Sequence, residues 1–179
     1  MYLHVDGARL ANAAVALGCS FKQMTTDCGV DALSFGGTKN GLLMGESCVL
    51  LNTVLDIDMK YRRKQMTQLA SKMRFMAAQM ICYLESGMWR RNAEHSNRMA
   101  QLLRSEVERV DGVKIMYPVQ VNSLFAQLPT DVWHRLQERY FFYDWDEAAD
   151  VVRWMCSFDT TEDNIHSFVQ ALKEELCRK

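Results

Sequence analysis

The chain has 179 residues, of which 49% are apolar, and a formal net charge of −1. This length suits one domain or parts of two, and the near-neutral charge gives no reason to expect nucleic acid or an anionic membrane as a partner. No apolar run reaches the roughly 20 residues that a membrane-spanning helix needs, and the N-terminus lacks the pattern of a secretory signal peptide.

The six cysteines are scattered along the chain, with no CxxC pair and no histidine cluster beside them. This spacing predicts neither zinc nor any other metal. Scattered thiols without a secretion signal are typical of a reducing compartment, so we expect a cytoplasmic protein. We also expect these cysteines to be buried as small apolar side chains.

The first fifty residues predict short strands alternating with helices. The segments are an extended run at 2–5, a helix at 7–17 ended by Gly18, a short helix at 21–26, and strands at 32–35 and 47–51. Strand, helix and strand in this spacing indicate parallel pairing inside an α/β sheet.

From residue 53 the pattern becomes helical. Neither Pro nor Gly occurs between Asn52 and Ser86, so one long helix or two is expected before a break at Ser86-Gly87. A helix at 92–110, strands at 113–117, 123–128 and 151–157, a helix at 129–140 and a last helix to about 177 follow. We therefore predict a partial large domain at 1–52, a connecting helical region at 53–87 and a small α+β domain at 88–179.

Lys39 is the first candidate for chemistry. It lies within three residues of Gly36, Gly37 and Gly41, directly after a predicted strand. Glycines let the backbone approach a bulky ligand, and a lysine amine can form a Schiff base with pyridoxal 5'-phosphate (PLP). Such a lysine must be neutral to react, so we expect a partly desolvated pocket around it. A surface lysine in a turn is the alternative.

Asp6 makes the cofactor interpretation more specific. It ends the first apolar stretch, 33 residues before Lys39. A carboxylate in this place can pair with the pyridine nitrogen of PLP and keep the ring an acceptor of electrons. The two residues together therefore predict a PLP site.

The segments around these residues resemble a known family. Residues 4–9, His-Val-Asp-Gly-Ala-Arg, and 29–41, which end in Gly-Gly-Thr-Lys-Asn-Gly, are similar to the aspartate and lysine motifs of the low-specificity threonine aldolases. These enzymes belong to the β-eliminating lyases of fold-type I. Residues 63–65, 68–75, 152–153 and 159–163 resemble later segments of the same family, in the same order.

The resemblance implies a role for each matching residue. Lys39 would carry the cofactor, Asp6 would bind its pyridine nitrogen, and Thr38 would lie near the phosphate or the lysine. Arg9 would lie beside the cofactor or the substrate carboxylate, and Arg153 would clamp that carboxylate. Further positively charged residues would contact the phosphate or a subunit interface: Lys64, Lys72 and Arg74. His4 has two interpretations, as a partner of the aspartate or as strand-end packing.

The family also implies the fold, the partners and the reaction. We expect the C-terminal part of a fold-type I PLP-dependent transferase-like α/β fold, in a homo-dimer or homo-tetramer that acts on a small amino acid. The reaction would cleave a β-hydroxy-α-amino acid to glycine and an aldehyde, with β-elimination or racemisation as alternatives on the same residues. The family's phosphate loop and ring-stacking residue precede the aspartate, and only five residues precede Asp6 here. A catalytically incomplete fragment is therefore the rival expectation, with little or no aldolase activity of its own.

Overall fold

The computed structural model describes residues 1–178 and divides the chain into two compact units, Met1–Ala93 and Glu94–Lys179. Each unit has its own β-sheet and its own hydrophobic core. Helix α5, Met88–Val107, begins in the first unit and continues into the second. In the described part of the chain, no helix combines the length and apolar character needed to cross a membrane.

The first unit contains a three-stranded sheet in the order β1-β2-β3. Its strands are β1 (His4–Gly7), β2 (Ala32–Gly36) and β3 (Glu46–Leu50). β1 and β2 are parallel, which confirms the pairing predicted from the strand–helix–strand spacing. The crossover between them contains α1 (Leu10–Leu17) and α2 (Phe21–Met24), whereas β3 returns antiparallel to β2.

A small aromatic core holds the first unit together. The buried side chains are Leu10, Leu33, Phe35, Leu42 and Tyr83. Tyr83 comes from α4, Arg74–Glu85, and is fully buried. Burying one such aromatic side chain is worth roughly 2–3 kcal/mol, so this contact attaches α4 to the sheet.

Between β3 and Ser86 the chain forms two helices, the second of the two predicted alternatives. They are the short helix α3 at Met59–Gln65 and α4, and a 3₁₀ turn at Thr53–Asp56 precedes them. The interruption at residues 66–73, which are not helical, was not predicted. Thr67 and Lys72 adopt positive φ angles of 57° and 65°. Residues other than glycine rarely adopt this conformation. Because no glycine stands here, the sequence gives no local signal for the interruption. The expected break at Ser86-Gly87 is present, with Gly87 at a φ of 70°.

The second unit is an antiparallel sheet covered on one face by helices. The strands are ordered β4-β5-β7-β6, with bounds β4 Lys114–Ile115, β5 Ser123–Gln127, β6 Tyr143–Asp146 and β7 Val151–Met155. The helices are α5, α6 (Thr130–Gln137) and α7 (Glu162–Cys177). Buried side chains of all three helices form one core with Leu124, Ala126, Val152 and Trp154. Because side chains alternate along a strand, Phe125 and Arg153 lie on the opposite face.

The expectation that the cysteines are buried is wrong for most of them. Only Cys156 is buried, and its burial raises the pKa of the thiol to about 12. Four others are exposed because they lie in a turn, in β3 and on helix faces that no described residue covers: Cys28, Cys48, Cys82 and Cys177.

Candidate functional site

Asp6 and Lys39 belong to two neighbouring parallel strands: Asp6 lies in β1, and Lys39 comes just after β2. Asp6 lies opposite Ser34 near the end of β1, and Lys39 follows the end of β2. The carboxyl ends of parallel strands meet at the same sheet edge, where α/β proteins bind ligands. Asp6 is exposed, and its Oδ1 accepts a hydrogen bond of 3.0 Å from the Ala8 backbone N–H. This edge therefore presents an accessible carboxylate.

His4 lies on the same face of β1 as Asp6, as the two-residue period of a strand predicts. Its Nε2 lies 2.9 Å from Ser34 Oγ on β2. The histidine thus links the two strands below the aspartate. No hydrogen bond between His4 and Asp6 is found within residues 1–178.

Lys39 occupies the middle of a 3₁₀ turn, Thr38–Asn40. Its side chain is exposed, and within residues 1–178 it has no hydrogen bond or ion pair. The expected partly desolvated pocket is therefore not formed by the described residues, because the turn directs the amine away from the core and nothing covers it. The amine remains available to a ligand.

Asn40, directly after Lys39, anchors this turn to the helical part of the unit. Asn40 is only 3% exposed. Its Nδ2 donates to Tyr83 Oη at 2.6 Å and to the Trp89 carbonyl at 2.8 Å, and its own carbonyl accepts from Asn92 Nδ2 at 2.9 Å. Burial raises the pKa of Tyr83, which keeps the phenol protonated and neutral. The sequence reading missed Asn40, since an asparagine beside glycines is also the ordinary composition of a turn.

The two glycines before Thr38 are required by the protein's own packing. A Cβ at Gly36 would lie 2.9 Å from Ala8 Cα and 2.7 Å from Glu46 Oε2. A Cβ at Gly37 would overlap the Leu42 side chain. The predicted reason for these glycines is the close approach of a ligand, whereas in the structure they let the lysine turn pack against its own neighbours.

The other predicted cofactor residues of the first unit make few contacts that bear on a cofactor site. The Thr38 hydroxyl lies within 3.5 Å of the Gly45 backbone, so it serves the loop. Arg9 is half-buried immediately before α1. Three residues are exposed and take part in no ion pair between described residues: Lys64 in α3, Lys72 in the interruption and Arg74 at the start of α4. The site assignment of these residues remains a prediction.

Arg153 belongs to the second unit, in the strand β7 between β5 and β6. Phe125 lies directly opposite on one side and Tyr143 on the other. The guanidinium carbon lies 5.5 Å from the Tyr143 ring centre and 5.1 Å from that of Trp145. Such contacts are worth about 0.5–2 kcal/mol each. Arg153 is half-buried, and the ion pairs within residues 1–178 do not include it.

Tyr143 and Trp145 were missed by the sequence reading because the strand β6 was not predicted. The signal is present: Phe141, Tyr143 and Trp145 recur at every second position, and Asp144 and Asp146 alternate with the last two. This is the period of a strand, and it places the aromatic rings on one side.

Comparisons with known proteins agree on the family. Residues 1–130 match the family model described as beta-eliminating lyase. The chain is 41% identical over 171 residues to the low specificity L-threonine aldolase of Pseudomonas sp. (strain NCIMB 10558), covering 96% of this chain and 49% of that protein. It is likewise 41% identical over 173 residues to the low specificity L-threonine aldolase of Pseudomonas aeruginosa, covering 97% of this chain and 50% of that protein.

A solved structure gives the same result for the fold. The Leishmania major threonine aldolase superposes with a TM-score of 0.83 at 27% identity, covering 97% of this chain and 52% of that one. This likeness confirms the predicted mixed α/β class. The chain spans about half the length of the curated relatives it matches. Family model, sequence identity and fold agree, and the chain belongs to the β-eliminating lyase family.

Proposed function

We propose that this chain carries the lysine, aspartate and arginine of a PLP-dependent lyase of the threonine aldolase type. The reaction cleaves a β-hydroxy-α-amino acid to glycine and an aldehyde. The observation that carries the proposal is the exposure of Asp6, near the end of β1, and of Lys39, just after the adjacent parallel strand β2, with neither side chain engaged in an ion pair within residues 1–178. The relatives named L-threonine aldolases support it.

The residues present fit PLP. Asp6 offers an accessible carboxylate with a single hydrogen bond among the described groups, and Lys39 offers an amine that no other side chain occupies. When bound, PLP supplies a positively charged ring that accepts electrons from the substrate. Asp6 is the residue to hold the proton on the ring nitrogen, and Lys39 Nζ is the covalent anchor. Lys64, Lys72 and Arg74 are candidates for the phosphate or for a subunit interface.

Arg153 is the candidate for the substrate carboxylate. A planar guanidinium presents parallel N–H donors that match the two oxygens of a carboxylate. Its lack of an ion-pair partner within residues 1–178 leaves this capacity unused. Arg9, half-buried and close in sequence to Asp6, is the second candidate for that carboxylate or for the cofactor oxygen.

The same set of residues also suits β-elimination or racemisation. The bond that breaks would depend on how surrounding residues orient the substrate, and neither Lys39 nor Asp6 would select among these outcomes. The relatives named L-threonine aldolases favour cleavage between Cα and Cβ.

Reductive trapping tests the proposed site. The chain is incubated with PLP, reduced with borohydride and mapped by peptide mass spectrometry. We expect a pyridoxyl adduct on Lys39 that disappears in Lys39→Ala and persists in Lys173→Ala, which removes another exposed lysine to which no role is assigned. Labelling spread evenly over the exposed lysines would contradict the proposed anchor.

The exposure of Lys39 also favours a second candidate, a chain that retains the family's residues but is catalytically incomplete. A Schiff-base lysine functions best when it is partly desolvated, and the described residues leave this one open. Glycine release from L-threonine in the presence of PLP separates the candidates. We expect release far below the rate of an intact enzyme, and a rate of at least about 1 s⁻¹, within the usual range for enzymes, would exclude the incomplete chain.

We further propose that the chain forms a homo-dimer or homo-tetramer. Large apolar side chains in the helical region of the first unit are at least 41% exposed: Val54, Ile57, Tyr61, Met66, Leu69, Phe75, Ile81 and Leu84. Apolar surface of this kind is typical of a protein–protein contact.

A further inference from the structure

Arg153 is held by aromatic rings rather than by a carboxylate. Its Nε is buried and has no hydrogen-bond partner, and no Asp or Glu of residues 1–178 lies within ion-pair distance of it. Asp144 and Asp146 are close along the neighbouring strand, but they alternate with the rings and form no ion pair with Arg153. Burying a charge is costly unless it is paired, so an anionic ligand would be a favourable partner for this guanidinium.

The strand β6 carries a distortion where it meets this arginine. Tyr143 pairs with Arg153 and Asp144 with Val152, but Asp146 pairs with Val151, so Trp145 is an extra residue in a β-bulge. A bulge re-aims the side chain that it carries. Here both rings of the strand contact the same guanidinium, at 5.5 Å and 5.1 Å.

The rings are themselves held in place. The Trp145 ring packs edge-on against Phe125, with centres 5.0 Å apart and planes at 70°. The Tyr143 ring packs against Phe141 at 5.2 Å and 76°. Tyr143 and Trp145 are nevertheless 54% and 53% exposed, so they are not core residues of the unit. Their contacts with each other's neighbours and with the guanidinium lie at the surface of the sheet.

We propose that Tyr143 and Trp145 are positioning residues that hold Arg153 for the carboxylate of an amino-acid substrate. This inference rests on the proposed function for the identity of that carboxylate. Ring contacts use the π face of the guanidinium, whereas a carboxylate binds its N–H donors in the plane, so both can act together. The rings limit the rotamers of Arg153 before the ligand arrives, which reduces the entropy lost on binding.

The test follows the Arg153 side chain directly by NMR. In the unaltered chain labelled with ¹⁵N and ¹³C, the Arg153 Nε–Hε signal is assigned by its loss in Arg153→Lys. We expect ring currents to displace this signal, and Trp145→Ala and Tyr143→Ala to move it towards the position of a free arginine. Trp145→Phe and Tyr143→Phe retain a ring and should largely preserve it. Phe158→Ala, which removes another exposed aromatic residue of the same unit, is the matched control.

Carboxylate binding is measured on the same signal by titration with acetate, against chloride at equal ionic strength. The loss of one ring contact should weaken acetate binding at Arg153 by about three- to tenfold. An unchanged Nε–Hε signal in both alanine variants overturns the proposal. So does a loss of acetate affinity in Phe158→Ala equal to that in the two alanine variants. A signal that does not respond to acetate in the unaltered chain also overturns it.

These outcomes are separate from those for the proposed function. A missing pyridoxyl adduct at Lys39 would count against the cofactor site and leave the acetate result at Arg153 intact. If the chain does turn over L-threonine, Trp145→Ala should raise KM about three- to tenfold with kcat nearly unchanged, because the interaction is present in both ground and transition states. A fall in kcat without a rise in KM would overturn the positioning role.

Discussion

At the residue scale, the geometry of the lysine turn depends on its neighbours more than on Lys39 itself. Lys39 is exposed, whereas Asn40 is buried and bonded to Tyr83, Trp89 and Asn92. When a buried amide loses its hydrogen-bond partners, the cost of its desolvation is no longer offset. The exposed amine and the residue that positions its backbone are therefore adjacent but have opposite environments.

Replacement of this anchor should destabilise the chain, whereas replacement of the lysine should not. We expect Asn40→Ala to lower the free energy of unfolding by about 1–3 kcal/mol, because Tyr83 Oη and the Trp89 carbonyl lose their buried donor. Urea unfolding followed by circular dichroism measures the change.

Two variants control the Asn40 experiment. Tyr83→Phe removes one of the two acceptors and should cost no more than about 1.5 kcal/mol, and Lys39→Ala, at an exposed position, should stay within about 0.5 kcal/mol. If Lys39→Ala lowered the free energy of unfolding as much as Asn40→Ala, this division of roles would be contradicted.

The residues that sequence reasoning found are those with a chemical signature of their own. Lys39 and Asp6 each follow an apolar stretch, and the combination of an amine and a carboxylate at strand ends is what predicts a cofactor site. Asn40 and Trp145 have no such signature. Asn40 acquires its role only when α4 brings Tyr83 to it, and Trp145 only when the pairing of β6 with β7 brings its ring to Arg153.

At the element scale, α6 and α7 are joined by Arg135. Its Nε donates to Glu175 Oε2 at 2.8 Å, and a second nitrogen donates to the Glu175 carbonyl at 2.9 Å. A third contact, at 2.8 Å, reaches Asp131 within α6. The hydrogen bond from Arg135 holds the pKa of Glu175 below its ordinary value. The pair thus links one buried carboxylate in α7 to the neighbouring helix.

The stability supplied by Glu175 should depend on pH. Because the pKa of Glu175 is lower in the folded than in the unfolded chain, its contribution is fully present above the ordinary value of 4.5 and is lost as the pH falls through the folded value. We expect Glu175→Gln to lower Tm at pH 7, and this difference from the unaltered chain to shrink progressively as the pH falls below 4.5 through the lowered folded pKa. Thermal melts at several pH values measure the difference.

Glu174→Gln is the matched control for this carboxylate. Glu174 is one residue away, is 53% exposed and faces Arg139 at 3.5 Å, so its ion pair is largely solvated. Its Tm should differ little from that of the unaltered chain at any pH. If Glu175→Gln lowered Tm by the same amount at every pH, the residue would contribute through packing rather than through its charge.

An element could be predicted when the sequence signals for its ends lie within the element or next to it. α1 and α7 carry an apolar stripe and local end signals: Gly18 ends α1 at a φ of 64°, and Thr161 caps α7 through Asn164. The interruption at 66–73 has no such signal, because Thr67 and Lys72 take positive φ without being glycine. The backbone there is set by its wider surroundings, which a local reading of the sequence does not include.

At the scale of the whole molecule, the two units differ in how they are stabilised. The second unit has a large core shared by three helices and a sheet, whereas the first has a small one around Phe35 and Tyr83. The helical region of the first unit leaves most of its large apolar side chains in solvent. Such a surface costs free energy in an isolated chain, and association is the usual way in which it is covered.

The exposed apolar side chains of this region should therefore mediate self-association. We expect sedimentation velocity to give a mass at least twice the 20.7 kDa of one chain at micromolar concentration. Met66→Glu combined with Phe75→Glu should weaken association by at least about tenfold, because each substitution places a charge in an apolar contact. Leu17→Glu, at a 68% exposed position on α1, is the control and should leave the mass unchanged. A monomer at every concentration, or equal dissociation by Leu17→Glu, would show that this surface is not what joins the chains.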